Sequence, residues 1–375
     1  MRRSAALLVT VLLVAGACSS GDDDDVVAPT TAPTTTSTMT STTVVSDRVV
    51  VGECDGIGAV PDAAAVTWIA GGRLWQRAAG VGEPTCLLEA SYPSLEWGGA
   101  GDRARIGDAV VAGDDVDVLG SMDRHLHGFS RPTGSAVLAQ ATDGQLFKLP
   151  VDGTEPIELP SFHGSLEATY HPAGPAIVSV QPLGDRPGLI LGSNLGHDPR
   201  WLVENETASA LSGLTFTESG ALLFVATHEG RQHVHRLDLA SNTLSTVYEL
   251  AMEDGSDESI HGVVASPFRD DDVAVSRSGA HQLTGLWVQR DGESVDLGGT
   301  PVEHGDAIAW LPDGDLLVAV YEDDAHCCDV PPFDLYLLRA GGAELIDRDV
   351  AAAAVRAVLP PPPPPPPDID QAAPA

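Results

Sequence analysis

Three observations predict an all-β chain folded as a β-propeller, a ring of four-stranded antiparallel blades. One phrase recurs six times between Trp97 and Tyr321: an apolar residue, a short polar turn that usually holds a glycine, then a run of small and branched apolar residues. Its starts lie 32 to 49 residues apart, the period of a blade. A second hairpin follows most copies, which gives each repeat four strands. No stretch supplies the three-and-four apolar spacing that helical repeats of this length would need.

In chain order the phrases are WGGAGDRARIGD from Trp97, FSRPTGSAVLAQ from Phe129, YHPAGPAIVSV from Tyr170, FTESGALLFVAT from Phe216, ASPFRDDDVAVSR from Ala265 and WLPDGDLLVAVY from Trp310. The fifth lacks both the aromatic and the glycine. The second hairpins start at Gly144, Gln232, Gly285 and Asp334. A turn four or five residues after an aromatic, followed by period-two apolar residues, is a hairpin signal. A partial copy from Val66 precedes the first full phrase, so seven blades are expected, with six left open because the unit from Leu95 to Gly120 is short. The 48–358 stretch suits a closed propeller, which grows by adding blades.

WLPDGDLLVAVY followed by DLYLLRAGGAELI resembles the WD40-like repeats of TolB-type bacterial propellers. The resemblance covers about residues 60 to 347, and only the copy at Trp310 keeps Pro312-Asp313-Gly314 intact. It implies the fold and leaves the function open, because one fold hosts many functions.

Residues 1–17 read as a lipoprotein signal peptide: Arg2 and Arg3, an apolar run from Ala5 to Ala15, then Gly16 and Ala17 before Cys18. The apolar run is too short to span a membrane. Val14-Ala15-Gly16-Ala17-Cys18 resembles a bacterial lipobox with alanine in place of the usual leucine, and an ordinary cleaved signal beside a stray cysteine is the alternative. Lipidation of Cys18 would hold the protein outside the cytoplasm on the bacterial cell membrane. Residues 18–47, rich in Thr, Pro and Asp, cannot bury a core and read as a flexible linker. Residues 359–375 open with a proline run from Pro360 to Pro367, a polyproline II tail read as a spacer.

A formal charge of -34, with Lys148 the only lysine, repels phosphate backbones and anionic headgroups. Nucleic-acid binding is excluded, and membrane attachment is left to the lipid. A monomer is expected.

Setting Cys18 aside, four cysteines remain, and an even count in an exported chain implies disulfides. Local pairing, Cys54 with Cys86 and Cys327 with Cys328, is expected, because the first pair flanks the first blade. The rival connects Cys54 and Cys86 to the final blade. No spacing of the CxxC kind exists for a metal site.

In a four-stranded blade, the segments entering the inner strand and the loops between the second and third strands share one face. Inner-strand entries carry His125, His127, His163, His261 and His304, and the other loops add His228, His281 and His326. Convergence of His127, His163, His261 and His304 at the channel mouth could bind zinc or copper. Loops are equally where solvated polar residues belong, and no cofactor is otherwise expected. The same residues could make the face pH-sensitive. Asp270 to Asp272, and Asp323 with Asp324, could hold calcium, although solvated turn acids are the plainer account. No GxSxG, HExxH or phosphate loop occurs. The reading is a lipid-anchored binding or scaffolding propeller for an envelope protein, peptide or glycan. The alternative is a metal-dependent hydrolase or lyase at a histidine-rich mouth.

Overall fold

The computed structural model describes residues 49, 50 and 54 to 365, apart from 62, 79–81, 114, 120–123, 132, 175, 185, 194, 196–198, 204–207, 251–257, 280–282 and 322–331. The leader 1–17 with Cys18 and the whole 18–47 linker, and likewise His281, Asp323, Asp324, His326, Cys327, Cys328 and residues 366–375, lie outside the described residues.

The recurring phrase is the first hairpin of a blade. Its aromatic ends the inner strand and is buried: Trp97, Phe129, Tyr170, Phe216 and Trp310 are all at most 8% exposed. The turn glycine then takes the left-handed backbone that side-chain-bearing residues avoid, with φ of 63° at Gly134, 81° at Gly220 and 87° at Gly314. Its N–H closes the turn onto a carbonyl, as from Gly220 to Thr217 at 3.1 Å and from Gly314 to Leu311 at 3.0 Å. The fifth copy, which lacks the glycine, uses a serine instead: Ser266 Oγ accepts from the N–H groups of Phe268 and Arg269, each at 3.2 Å. That is a side-chain cap doing the work of a special backbone angle.

The apolar run that follows is the second strand, buried on both faces. In Leu222–His228, Leu222, Phe224 and Ala226 join one core, shared with the preceding blade, while Leu223 and Val225 join another, shared with the following blade. A strand sandwiched between two blades has no solvent face, so its sequence does not alternate.

Among the described residues, five antiparallel four-stranded sheets stand as separate blades, over 95–118, 124–159, 167–203, 208–249 and 259–294. They are called blades 1 to 5 here. In each, the first strand is the inner one. The expectation of seven such blades is corrected: the other eight strands form a single eight-stranded sheet. The cause is one 15-residue strand, Gly342–Arg356. Its first part pairs with Phe333–Arg339, and from Val350 onward it pairs with Ala65–Ala70. Asp349, at φ 53°, bends the strand where it changes partner. No glycine or proline marks that point in the Ala-rich sequence, so the run carries on where two sheets were expected.

This shared strand brings the first and last parts of the chain together. Thr67 Oγ1 donates to Ala354 O at 2.9 Å and accepts from Trp97 Nε1 at 2.8 Å. Trp68 Nε1 donates to Asp347 Oδ2 at 2.6 Å. Arg356, 1% exposed, donates to the carbonyls of Gly101 (2.9 Å) and Gly58 (2.7 Å) and to Gln76 Oε1 (2.8 Å), with its guanidinium 4.5 Å from the Trp97 ring centroid.

Cys54 and Cys86 are disulfide-bonded, with Cα atoms 5.2 Å apart, as the local pairing predicted. The bond ties the 54–61 segment to the strand Thr85–Ala90, beside the backbone bonds of Asp55 to Cys86 and Gly56 to Leu87. Replacing both cysteines by serine is expected to cost about 2 kcal/mol, toward the low end for a native disulfide because these backbone bonds remain. Urea unfolding of the double variant would measure it, and an unchanged midpoint would contradict it.

Candidate functional site

Antiparallel order places the first and third turns of every blade on one face, and the second turns with the inner-strand entries on the other. The ring therefore has two mouths.

The entry face carries the histidines. His127 lies in the inner strand Arg124–Phe129, half-buried, with its ring edge-on to His125 at 4.8 Å between centroids. The Gln140 amide nitrogen donates to the Ser165 carbonyl, which leaves its oxygen to accept from His127 Nε2 at 2.8 Å. Burial holds His127 down to about 4, opposed by the Gln140 bond and helped by His125 and Arg105. His163 is exposed after the short turn Pro160–Phe162, with Nδ1 3.1 Å from Gln145 Oε1. His261 is exposed on Ser259–Ala265, with Nε2 3.6 Å from Asp306 Oδ2. His304 Nδ1 contacts the Thr284 carbonyl at 3.0 Å. His228 ends the second strand of blade 4 and meets His233 and His235, each at 5.9 Å between centroids.

The four histidines expected to converge are therefore engaged separately: His127 and His163 by glutamines of blade 2, His304 by a blade 5 carbonyl, His261 beside an acid of the eight-stranded sheet. Among the described residues no group of three or more His, Cys, Asp or Glu is placed to hold a metal ion. The calcium expectation at Asp270 to Asp272 meets the same outcome. Asp270 accepts from Ser219 N at 2.7 Å, Asp271 pairs with Arg236 at 3.2 Å, and the fully buried Asp272 accepts from Asp291 N at 2.8 Å. Arg236 also reaches Asp270, at 3.8 Å, so all three carboxylates are already engaged by the protein.

The acids on the inner strands have a common task that the sequence reading missed. Glu96 Oε1 accepts from Phe129 N of the next blade at 3.0 Å, while its other oxygen takes Arg105 at 3.0 Å. Glu167 accepts from Gly213 N and Leu214 N of the next blade, at 2.9 and 2.8 Å. Neighbouring inner strands belong to different sheets and leave N–H groups unpaired between them, and a carboxylate is the strongest available acceptor. Asp306 sits in the same class of position facing His261, and burial raises its carboxyl above the usual range, with Ser276 and His261 opposing. Tyr321 is pushed up to about 12 by burial and by Asp306.

The opposite mouth is formed by the first turns of the blades. A pocket there is lined by Gly99, Arg131, Pro172, Thr217, Glu218 and Pro267, which come from the equivalent turn of all five separate blades. Only the ring axis is close to all of them. Leu359 to Pro363 lie in this pocket. The tail read as a spacer thus begins on the propeller itself.

No family model matches the chain, and no curated protein does. Solved structures do. An oligogalacturonate lyase in complex with manganese is 12% identical, with a TM-score of 0.52 over 73% of this chain and 83% of that one. The chain is a β-propeller. An oligogalacturonate lyase from Vibrio parahaemolyticus is 10% identical, with a TM-score of 0.51 over 72% of this propeller and 84% of that chain. A structure described as a putative TolB from Agrobacterium tumefaciens is 15% identical, with a TM-score of 0.45 over 64% and 93%. At these identities the likeness is one of fold alone.

Proposed function

We propose that this chain is an extracytoplasmic binding propeller, lipidated at Cys18, carried by the 18–47 linker on the bacterial cell membrane, and presenting a channel mouth to a protein, peptide or glycan of the envelope. The observation that carries the reading is the commitment of Glu96 and Glu167 to backbone N–H groups of the next blade. Carboxylates spent on holding the ring together make a rigid frame, which is what a recognition surface needs. Cys18→Ala in the full-length chain is expected to move the protein from the membrane fraction to the soluble one. Crosslinking in intact cells should then give one discrete adduct with the wild type. A wild type free of membrane and without an adduct would overturn the reading.

One arrangement favours the enzymatic alternative, the exposed His261 imidazole 3.6 Å from the Asp306 carboxylate. An acid beside an imidazole is the geometry of general acid–base catalysis. This reading predicts that the protein shortens oligogalacturonate when manganese is supplied, and that His261→Asn abolishes the cleavage. No cleavage by the wild type would remove it.

A further inference from the structure

The proline segment lies in the turn-face mouth as a ligand would. It enters by a backbone bond from Leu359 N to Gly99 O at 3.0 Å, three residues after the buried Arg356. Pro360, Pro363 and Pro365 are half-buried while Pro361, Pro362 and Pro364 are exposed, so an interval of three holds from Pro360 to Pro364 and ends at Pro365. A polyproline II helix has three residues per turn, so an interval of three puts one edge on the protein and the other two in water. The wall is shaped to that edge. At Gly220, with φ 81°, a Cβ would come within 2.8 Å of the Pro363 ring, so the ring packs where only a glycine leaves room. Pro172 and Pro267 add rigid apolar surface, and Arg131 brings donors to the same wall, beside a segment that as polyproline II makes no hydrogen bonds within itself.

We propose that this mouth is a receptor for proline-rich peptide in the polyproline II conformation, and that the chain's own residues 359–363 occupy it as an intramolecular competitor. The proposal rests on the binding reading and names its ligand class. Proline segments suit such a groove because they are already ordered and lose little freedom on docking. A tail joined to the ring by two residues is present at an effective concentration in the millimolar range or above. A partner peptide therefore gains access only when it outcompetes the tail or when the tail is drawn away.

Anisotropy of fluorescein-labelled decaproline tests this on the wild type and three variants, all full-length. In Pro360→Gly/Pro363→Gly the tail loses its rings and must pay more entropy to dock, and decaproline should bind at least about tenfold more tightly than to the wild type. Adding Gly220→Ala, whose Cβ would stand 2.8 Å from the place of the Pro363 ring, should abolish that gain. Pro363→Gly alone should give a smaller gain, which keeps the test informative if the double variant is unstable. Equal affinity of the wild type and the double variant, or equal binding of a labelled Gly-Ser decapeptide, would overturn the proposal. So would concentration-dependent wild-type dimers that decaproline dissolves, because the occupant would then be a second copy. A crosslinked envelope adduct persisting in the absence of decaproline binding would leave the broader binding reading standing and sink only this one.

Discussion

Replacing Arg356 with methionine is expected to cost the folded protein about 3 kcal/mol, because hydrogen bonds from a charged donor are worth about 1.5 to 3 kcal/mol and the acceptors left behind are buried. The acceptors are the Gly101 and Gly58 carbonyls and Gln76, which belong to blade 1, to the segment before the first long strand, and to the eight-stranded sheet. Among the described residues no carboxylate pairs with the guanidinium directly, and burial lowers its proton affinity, partly offset by Asp102. The face of Trp97 supplies part of the compensation. Methionine would fill the volume but leave three parts of the seam without a common partner. A fall in melting temperature of roughly 6 to 12 °C is the corresponding reading. Arg356→Lys should recover less than half, since an ammonium cannot direct donors along three lines from one plane. A methionine variant melting within about 2 °C of the wild type would show that the carbonyls find water instead.

Acidification from pH 7 to pH 4 is expected to weaken the fold by a similar amount or more. His127 and His171 are both held down to about 4 from an ordinary 6.5, chiefly by burial. A base whose folded value is depressed binds its proton in the unfolded chain first. Its contribution is therefore complete above about pH 6.5 and is lost as the pH falls toward 4. The gap of 6.5 minus about 4 corresponds to about 3 kcal/mol for one fully buried group. His171, 2% exposed, carries most of that, and half-buried His127 carries less. His171 Nδ1 accepts from Ala173 N at 3.0 Å, and its ring stands edge-on to Phe216 at 5.0 Å, so a second proton would break the turn bond as well. Asp306 acts in the opposite sense, because a buried carboxyl with a raised value takes up its proton earlier in the folded state. Chemical denaturation between pH 7.5 and 4 should show the slope, and His171→Asn should flatten it. Asparagine can accept the same N–H two residues on without titrating in this range. An unchanged slope in that variant would assign the effect elsewhere.

The hairpins were legible because each one is written locally. An aromatic, a turn and an apolar run lie within twelve or so residues, and Gly134, Gly220 and Gly314 report backbone angles that little else adopts. The Cys54–Cys86 bond was legible for the same reason, since both cysteines border one blade. The dual pairing of Gly342–Arg356 was not, because the second partner is far away in sequence and Asp349 alone, without a glycine or proline beside it, is a weak sign of the change. On the candidate site, turn phase could name a face for the histidines, but side-chain direction decides convergence and phase does not supply it. The turn-face mouth was invisible. A proline run states its own conformation and says nothing of the surface it lies on.

The strand shared by both ends of the eight-stranded sheet also sets the order in which the ring can be completed. Ala65–Ala70 is made early, and its edge stays open until Val350 to Arg356 arrive nearly three hundred residues later. That strand is almost wholly buried in the finished molecule, Val66 and Trp68 included, so the waiting edge is apolar and unpaired. Closure over such a separation is slow compared with the hairpins that precede it. A growing chain thus spends most of its synthesis as a row of formed blades with one sticky border, and any factor that shields the 65–70 segment during that interval would govern yield more than one acting on the finished ring.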